Sequence, residues 1–253
     1  MDSMETRRKQ IEELVNQQEY VRFSQIKEHF PNVSEMTLRT DLKELDKEKK
    51  IVRIHGGAKS VQLVIGTDDF LNRRAVRNLP QKEEIARKAK RLIVPDTAIF
   101  LDSGSTTTAL AHIFPNQSNL IYTTGLSCAT ELANLSEPSV HLPGGKLNRY
   151  SISVYGTSVV KELEFVNFHQ TFLGVMSYKP QTGFTCGNSE EAILKRTAIR
   201  QSEQVIVLMD SLKLGVKGTY SICGLEDIDI VVSDGQLPEE FKAECKKHKV
   251  AVI

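Results

Sequence analysis

Ser34–Ala58 reads SEMTLRTDLKELDKEKKIVRIHGGA. Ser34 suits a helix N-cap, because its hydroxyl can accept from a first-turn N–H that has no intrahelical partner. Leu38, Leu42 and Leu45 then recur at four- and three-residue spacing, one apolar stripe on a helix of about fourteen residues. The opposite face carries Met36, Thr37, Arg39, Thr40 and Lys43, side chains able to reach base edges or phosphates. Behind the helix, KKIVRIHGGAKS offers two short extended pieces with Arg53 and His55 at a Gly-Gly turn. A helix followed by a basic hairpin is the second half of a winged helix-turn-helix.

An amphipathic helix with charges outside is usually only a surface helix, so the sequence ahead of it matters. Ser24 is placed to cap a short helix, FSQIKEHF, whose Phe23, Ile26 and Phe30 share a face. Pro31-Asn32-Val33 breaks it just before Ser34. Helix, tight turn, capped helix is the DNA-reading pattern, with the second helix in the major groove. Residues 5–18 form a further amphipathic helix, with Ile11, Leu14 and Val15 inward and Arg7, Arg8 and Lys9 as phosphate contacts or a solvated face. Tyr20-Val21-Arg22 pairs with the wing, and Arg22 and Arg53 are expected on the DNA backbone.

The 253 residues suffice for two domains. With 33 basic against 32 acidic side chains the net charge is +1, which excludes a uniformly basic binder but not a local patch. Four cysteines, Cys128, Cys186, Cys223 and Cys245, show no metal-type spacing, so neither a zinc site nor any other metal or cofactor is expected, and reduced thiols are. The polar start MDSMETRRKQIEELV is no signal segment, and no apolar window reaches membrane-spanning length; the expectation is a cytoplasmic protein.

Residues 60–80 lack sustained periodicity and read as a connector between a DNA-binding domain at 1–59 and a larger domain at 81–253. From Gln81 onward apolar strands, small-residue turns and helices alternate: TAIFL at 97–101, then a helix; 119–124, then a helix; and so on to Val250–Ile253. That alternation predicts an α/β fold with a parallel sheet. Ligands in such sheets bind beyond the C-terminal strand ends. The turn with most chemistry is Asp102-Ser103-Gly104-Ser105-Thr106-Thr107, which follows a strand and opens a helix. Its free N–H groups, helix dipole and hydroxyls suit a phosphate. It is neither a Walker A loop nor GxGxxG. Thr124 ends a second strand. Gly144-Gly145-Lys146 ends a third, and Asp210 and Lys213 a fourth. Glu191 and Lys195 are placed for a helical ion pair. Several such turns at one sheet edge point to a phosphorylated small ligand.

Residues 1–59 resemble the N-terminal domain of the DeoR family of bacterial transcription regulators. The resemblance rests on Arg7-Arg8, Ser34 with Met36–Arg39, Asp41-Leu42, Leu45 and the Arg53–Ala58 wing; Thr40 stands where the family usually carries a second arginine. Residues 81–253 resemble the family's effector domain through Asp102–Thr107, Thr124, Gly144-Gly145, Gly156, Phe172–Gly174, Gly183–Thr185, Glu191 with Lys195, Asp210-Ser211 with Lys213, and Asp229. The resemblance implies a Rossmann-like, ribose-5-phosphate-isomerase-like domain that binds phosphorylated sugars or related metabolites. It further implies a repressor of a carbohydrate operon, acting on double-stranded operator DNA as a homo-oligomer, dimer or tetramer. Two other readings compete. One is a sugar-phosphate isomerase with a fused DNA head, using Asp102, Glu191, Asp210 and Lys213. The other is a DNA-organising protein whose second domain only oligomerises.

Overall fold

The computed structural model describes residues 4–18, 20–48, 50–54, 56–60, 71–216 and 218–253. The chain divides into two compact units, Met1–Thr67 and Asp68–Ile253. His55 of the wing and 61–70 of the connector lie outside the described residues.

The first unit runs α1 (Met4–Gln18), β1 (Tyr20–Arg22), α2 (Phe23–His29), α3 (Glu35–Lys47), β2 (Ile51–Ile54) and β3 (Gly57–Ser60). Its three strands lie antiparallel in the order β1-β3-β2. The apolar stripes read from the sequence meet in one core: Ile11 and Val15, Ile26 and Phe30, Leu38, Leu42 and Leu45, closed by Val21, Ile51 and Ala58. The Ser34 cap forms as expected, its hydroxyl accepting from the Thr37 N–H at 3.1 Å. Ser24 does not cap α2. The helix begins at Phe23 with Arg22 at the N-cap, and the Gln25 side chain accepts from the Arg22 N–H at 2.8 Å. Lys27 closes the break between the two helices by donating to the carbonyls of Pro31 and Val33. Gly57 is fixed by crowding: a Cβ there would fall 2.3 Å from the Val21 carbonyl oxygen on β1.

Arg7 and Arg8 are not solvated side chains. Both grip the buried Asp41 carboxylate, Arg7 Nε at 2.6 Å and Arg8 Nε at 2.9 Å. This fixes the start of α1 to the middle of α3.

The second unit comprises α4 (Leu71–Val76), α5 (Leu79–Lys90), β4 (Ala98–Leu101), α6 (Ser105–His112), β5 (Leu120–Thr123), α7 (Leu126–Leu132), β6 (Ser139–His141), β7 (Lys146–Asn148), β8 (Ser153–Tyr155), α8 (Thr157–Leu163), β9 (Phe168–Gly174), β10 (Ser177–Lys179), β11 (Gly183–Cys186), α9 (Ser189–Arg200), β12 (Ser202–Leu208), β13 (Tyr220–Cys223), β14 (Ile230–Val232), α10 (Glu239–Lys247) and β15 (Ala251–Val252). Seven strands form a wholly parallel sheet in the order β15-β14-β12-β9-β4-β5-β6. The chain winds from β4 outward to β6, then returns to lay β9 on the other side of β4. Strand order therefore reverses between β4 and β9, where crevices open in such sheets.

Side chains alternate across the sheet, as strand geometry requires. Ile99, Leu101 and Phe172 join α5, α6 and α7 on one face; Phe100 and Leu173 join α8, α9 and α10 on the other. Two features were not read from the sequence: the hairpin β7-β8 and the antiparallel sheet β10-β11-β13. Among the described residues no helix is long and apolar enough to cross a membrane.

Asp41→Ala leaves Arg7 and Arg8 without their common anchor. Because both arginines retain some solvent contact, the expected cost is about 1–3 kcal/mol in the opening free energy of α1 and α3. Hydrogen exchange on the full chain measures it, and unchanged protection of both helices would contradict the anchoring role.

Candidate functional site

In the first unit the side chains expected to meet DNA lie on α3 and near the strand ends. Met36, Arg39, Thr40 and Lys43 are exposed on α3, Met36 by 81%, while Leu38 and Leu42 are buried. Arg39 is held in place: its guanidinium lies 4.2 Å from the centre of the Phe23 ring and 3.5 Å from Glu35. Such stacking lowers the entropy lost when a guanidinium docks on a base. Thr37 bonds the Ser34 hydroxyl at 2.8 Å, and Thr40 donates to the Met36 carbonyl at 2.9 Å. Arg22 and Arg53 are exposed at the ends of β1 and β2, and the Arg53 N–H is fixed on Asp46.

In the second unit the C-terminal strand ends converge. Asp102 follows β4 and is fully buried. Its Oδ2 accepts from the Gly174 N–H at 2.9 Å and from Lys195 Nζ at 2.5 Å. Lys195, buried on α9, also donates to the Gly174 carbonyl at 2.6 Å and pairs with Glu191 at 2.9 Å. Burial alone would lower the Lys195 pKa, but Asp102 and Glu191 outweigh it and raise it above the ordinary amine value. Ser103 and Gly104 then lead into α6. Gly104, at φ +142°, takes a backbone conformation that side chains disfavour, and its carbonyl accepts from the hydroxyls of Thr107 and Thr108. Ser105, Thr106 and Thr107 form the first turn of α6, whose N–H groups have no helical partner. Asp102, Ser103, Thr124 and Glu191 line one small cleft.

Next to this trio lies a second charged group. Lys213 donates to the Val175 carbonyl at 2.7 Å, one residue beyond the carbonyl that holds Lys195, and stands 4.0 Å from the buried Asp210. Asp210 Oδ1 is buried without a partner among the described residues. Burial pushes the Lys213 pKa down, against the pull of Asp210. Sequence reasoning missed a third member, Lys82 on α5. It is only 4% exposed and donates to the carbonyls of Arg74 and Arg77 at the end of α4. Burial, then repulsion from Lys213, brings its pKa down to about 7. Lys82, buried, and Lys213, partly buried, thus share the single carboxylate Asp210, more basic groups than counter-charge.

Gly144, Gly145 and Lys146 are placed elsewhere. Gly145 backs onto Tyr155 and Val159, the Gly144 carbonyl accepts from Ser158, and exposed Lys146 lies 5.8 Å over the Tyr155 ring. They lead into the β7-β8 hairpin and do not line the cleft holding Asp102. The four cysteines are free; burial pushes Cys128, beside the Asp102 carbonyl, up to about 11. Among the described residues no group of three or more His, Cys, Asp or Glu side chains is arranged to hold a metal.

Asp102→Ala would leave Lys195 buried with only Glu191 as counter-charge. The expected loss is roughly 3 kcal/mol of stability in the second unit, read from its urea midpoint. An unmoved midpoint would show that the trio contributes nothing net.

Residues 7–63 match the DeoR-like helix-turn-helix domain, and residues 77–235 match the DeoR C terminal sensor domain. The chain is 33% identical to the uncharacterized HTH-type transcriptional regulator YulB of Bacillus subtilis, over 98% of this chain and 96% of that one. It is 31% identical to the glycerol-3-phosphate regulon repressor of Escherichia coli K12, over 90% of each chain. Ribose 5-phosphate isomerase A of Methanocaldococcus jannaschii superposes with a TM-score of 0.40 at 16% identity, over 54% of each chain. The relatives are regulators, and the isomerase-like enzyme that the strand-end turns also allowed is set aside. With a reading head of one kind and a sensor of the other matched along most of its length, the chain belongs to the DeoR family of helix-turn-helix transcriptional regulators.

Proposed function

We propose that this regulator represses a carbohydrate operon and is controlled by a phosphorylated sugar or related metabolite. The observation that carries the reading is the pair Lys82, buried, and Lys213, partly buried, which share the buried Asp210 carboxylate beyond the strand ends. A phosphate there is held by the N–H groups from Ser105 to Thr107 and by the two ammonium groups. The names of relatives support the same class: a glycerol-3-phosphate regulon repressor, and a putative aga operon repressor that is 30% identical. On the DNA side α3 enters the major groove, with Arg39, Met36, Thr37, Thr40 and Lys43 toward base edges and Arg22 and Arg53 on the backbone. The active form is a homo-oligomer, dimer or tetramer, that sets two reading helices at half-site spacing. The effector releases operator only as far as it binds the two states differently.

Operator binding titrated with sugar phosphates tests the whole reading. Release by one of them, abolished in Lys213→Ala, is expected; tight DNA binding that no phosphate perturbs would overturn it. Arg39→Ala is expected to cost about 1–3 kcal/mol on a specific operator and to relax sequence preference. Arg53→Ala should weaken binding evenly across sequences and lower the salt slope by about one.

Effector affinity also carries a pH signature. A bound phosphate dianion favours the charged form of Lys82, whose pKa without ligand is about 7. Binding above that pH therefore takes up a proton. The part of the affinity that Lys82 supplies is full well below pH 7 and falls as pH rises toward 9, by up to about tenfold per unit. Phosphate itself is already a dianion in that window. Calorimetric titration checks the slope, and Lys82→Met should flatten it.

A further inference from the structure

The cleft on the Lys195 side of the anion site contains polar groups that the phosphate does not use. Asn148, Ser151 and Ser153 reach it from the β7-β8 hairpin, Asn188 and Glu191 from the start of α9, and Asp102 from β4. Asn148 Oδ1 accepts from the Tyr150 N–H at 2.9 Å, closing the hairpin turn. Asn188 Oδ1 caps α9, accepting from the N–H groups of Glu190 and Glu191 at 2.8 and 3.3 Å. With the amide oxygens committed, each NH₂ is fixed in direction, and neither has a partner among the described residues. The acceptor side is equally open: Asp102 Oδ1 is buried without a donor. Ser151 and Ser153 are buried and bonded to each other at 2.7 Å across Ile152, which is held at φ +49°.

Unused amide donors and an unused carboxylate acceptor in one notch match a group that both donates and accepts. The free volume is about 10 Å³, which is about one water molecule. A hydroxyl group is a water with one hydrogen replaced by carbon. We propose that this notch receives one hydroxyl group of the effector and so selects among phosphorylated metabolites by the position of that hydroxyl. The O–H donates to Asp102 Oδ1, and its oxygen accepts from Asn148 or Asn188. The proposal rests on an organic phosphate anchored at Lys82 and Lys213. A ligand lacking the hydroxyl leaves the buried Asp102 Oδ1 without a donor, which is how buried polar sites reject deoxy analogues.

The test is calorimetric titration of the full chain with inorganic phosphate and with pentose and hexose phosphates and their monodeoxy analogues. The variants are Asn148→Asp and Asn188→Asp, which keep the oxygen that closes the turn or caps the helix but remove the N–H donors, and Ser151→Ala, which adds no charge. For the cognate sugar phosphate, one deoxy analogue should bind the unmodified chain at least about tenfold more weakly. That ratio should collapse toward one in Asn148→Asp or Asn188→Asp and shrink in Ser151→Ala. Inorganic phosphate should bind Ser151→Ala as it binds the unmodified chain. The proposal is overturned if every deoxy analogue binds as well as its parent. It is equally overturned if the variants leave the ratio unchanged, or if Ser151→Ala weakens sugar phosphate and inorganic phosphate alike. Failure of all phosphates, inorganic included, to bind the unmodified chain would remove the anion site as well as the notch; lost discrimination with binding intact removes the notch alone.

Discussion

A single buried ammonium holds the sensor unit's site together. Lys195 donates to Asp102 after β4, to the Gly174 carbonyl at the end of β9, and to Glu191 one turn back on its own helix. Those are the two strands between which the sheet's winding reverses, so the contact spans the seam where the fold leaves a crevice. Buried charges are expensive unless fully partnered, and replacement by apolar side chains often does as well for stability alone. What apolar packing cannot do is fix Asp102, and with it the direction in which Ser103 and Gly104 leave the strand. The ion trio thus sets the geometry from which α6 starts and from which its N–H groups point.

A second lysine repeats the arrangement one residue along. Lys213 holds the Val175 carbonyl as Lys195 holds that of Gly174. The two differ in charge balance. Lys195 has two carboxylates and is satisfied; Lys213 shares one with Lys82 and is not. That contrast sets a buried cation matched by two carboxylates against two lysines that share one, at the same sheet edge.

Much of this was legible in the residues. The Leu38-Leu42-Leu45 stripe with its Ser34 cap, and the alternation of strands and helices, are local patterns that need no tertiary information. Asp102, Asp210 and Lys213 were readable because they sit directly at strand ends. Lys82 was not. It stands in QKEEIARKAKR among basic residues that remain at the surface, and only the packing of α4 over it makes it different. Arg7 and Arg8 were opaque for the converse reason: their partner, Asp41, is more than thirty residues away. The β7-β8 hairpin has strands of three residues, too short for an alternating pattern to register. Ser24 looked like a cap, but Gln25 reaches back to the same helix end.

The short helix α4 has a consequence of its own. Six residues do not sustain a helix in water. Its first N–H, on Leu71, is tied to the Tyr150 carbonyl at the hairpin tip, and the carbonyls near its end are tied to Lys82. One clamp thus comes from the hairpin that carries Asn148 and Ser151, the other from the buried Lys82 of α5. Such an element behaves as a separate cooperative unit that melts without the sheet, at a free energy set by its clamps. Its order is lent to it by the β7-β8 hairpin at one end and by α5 at the other.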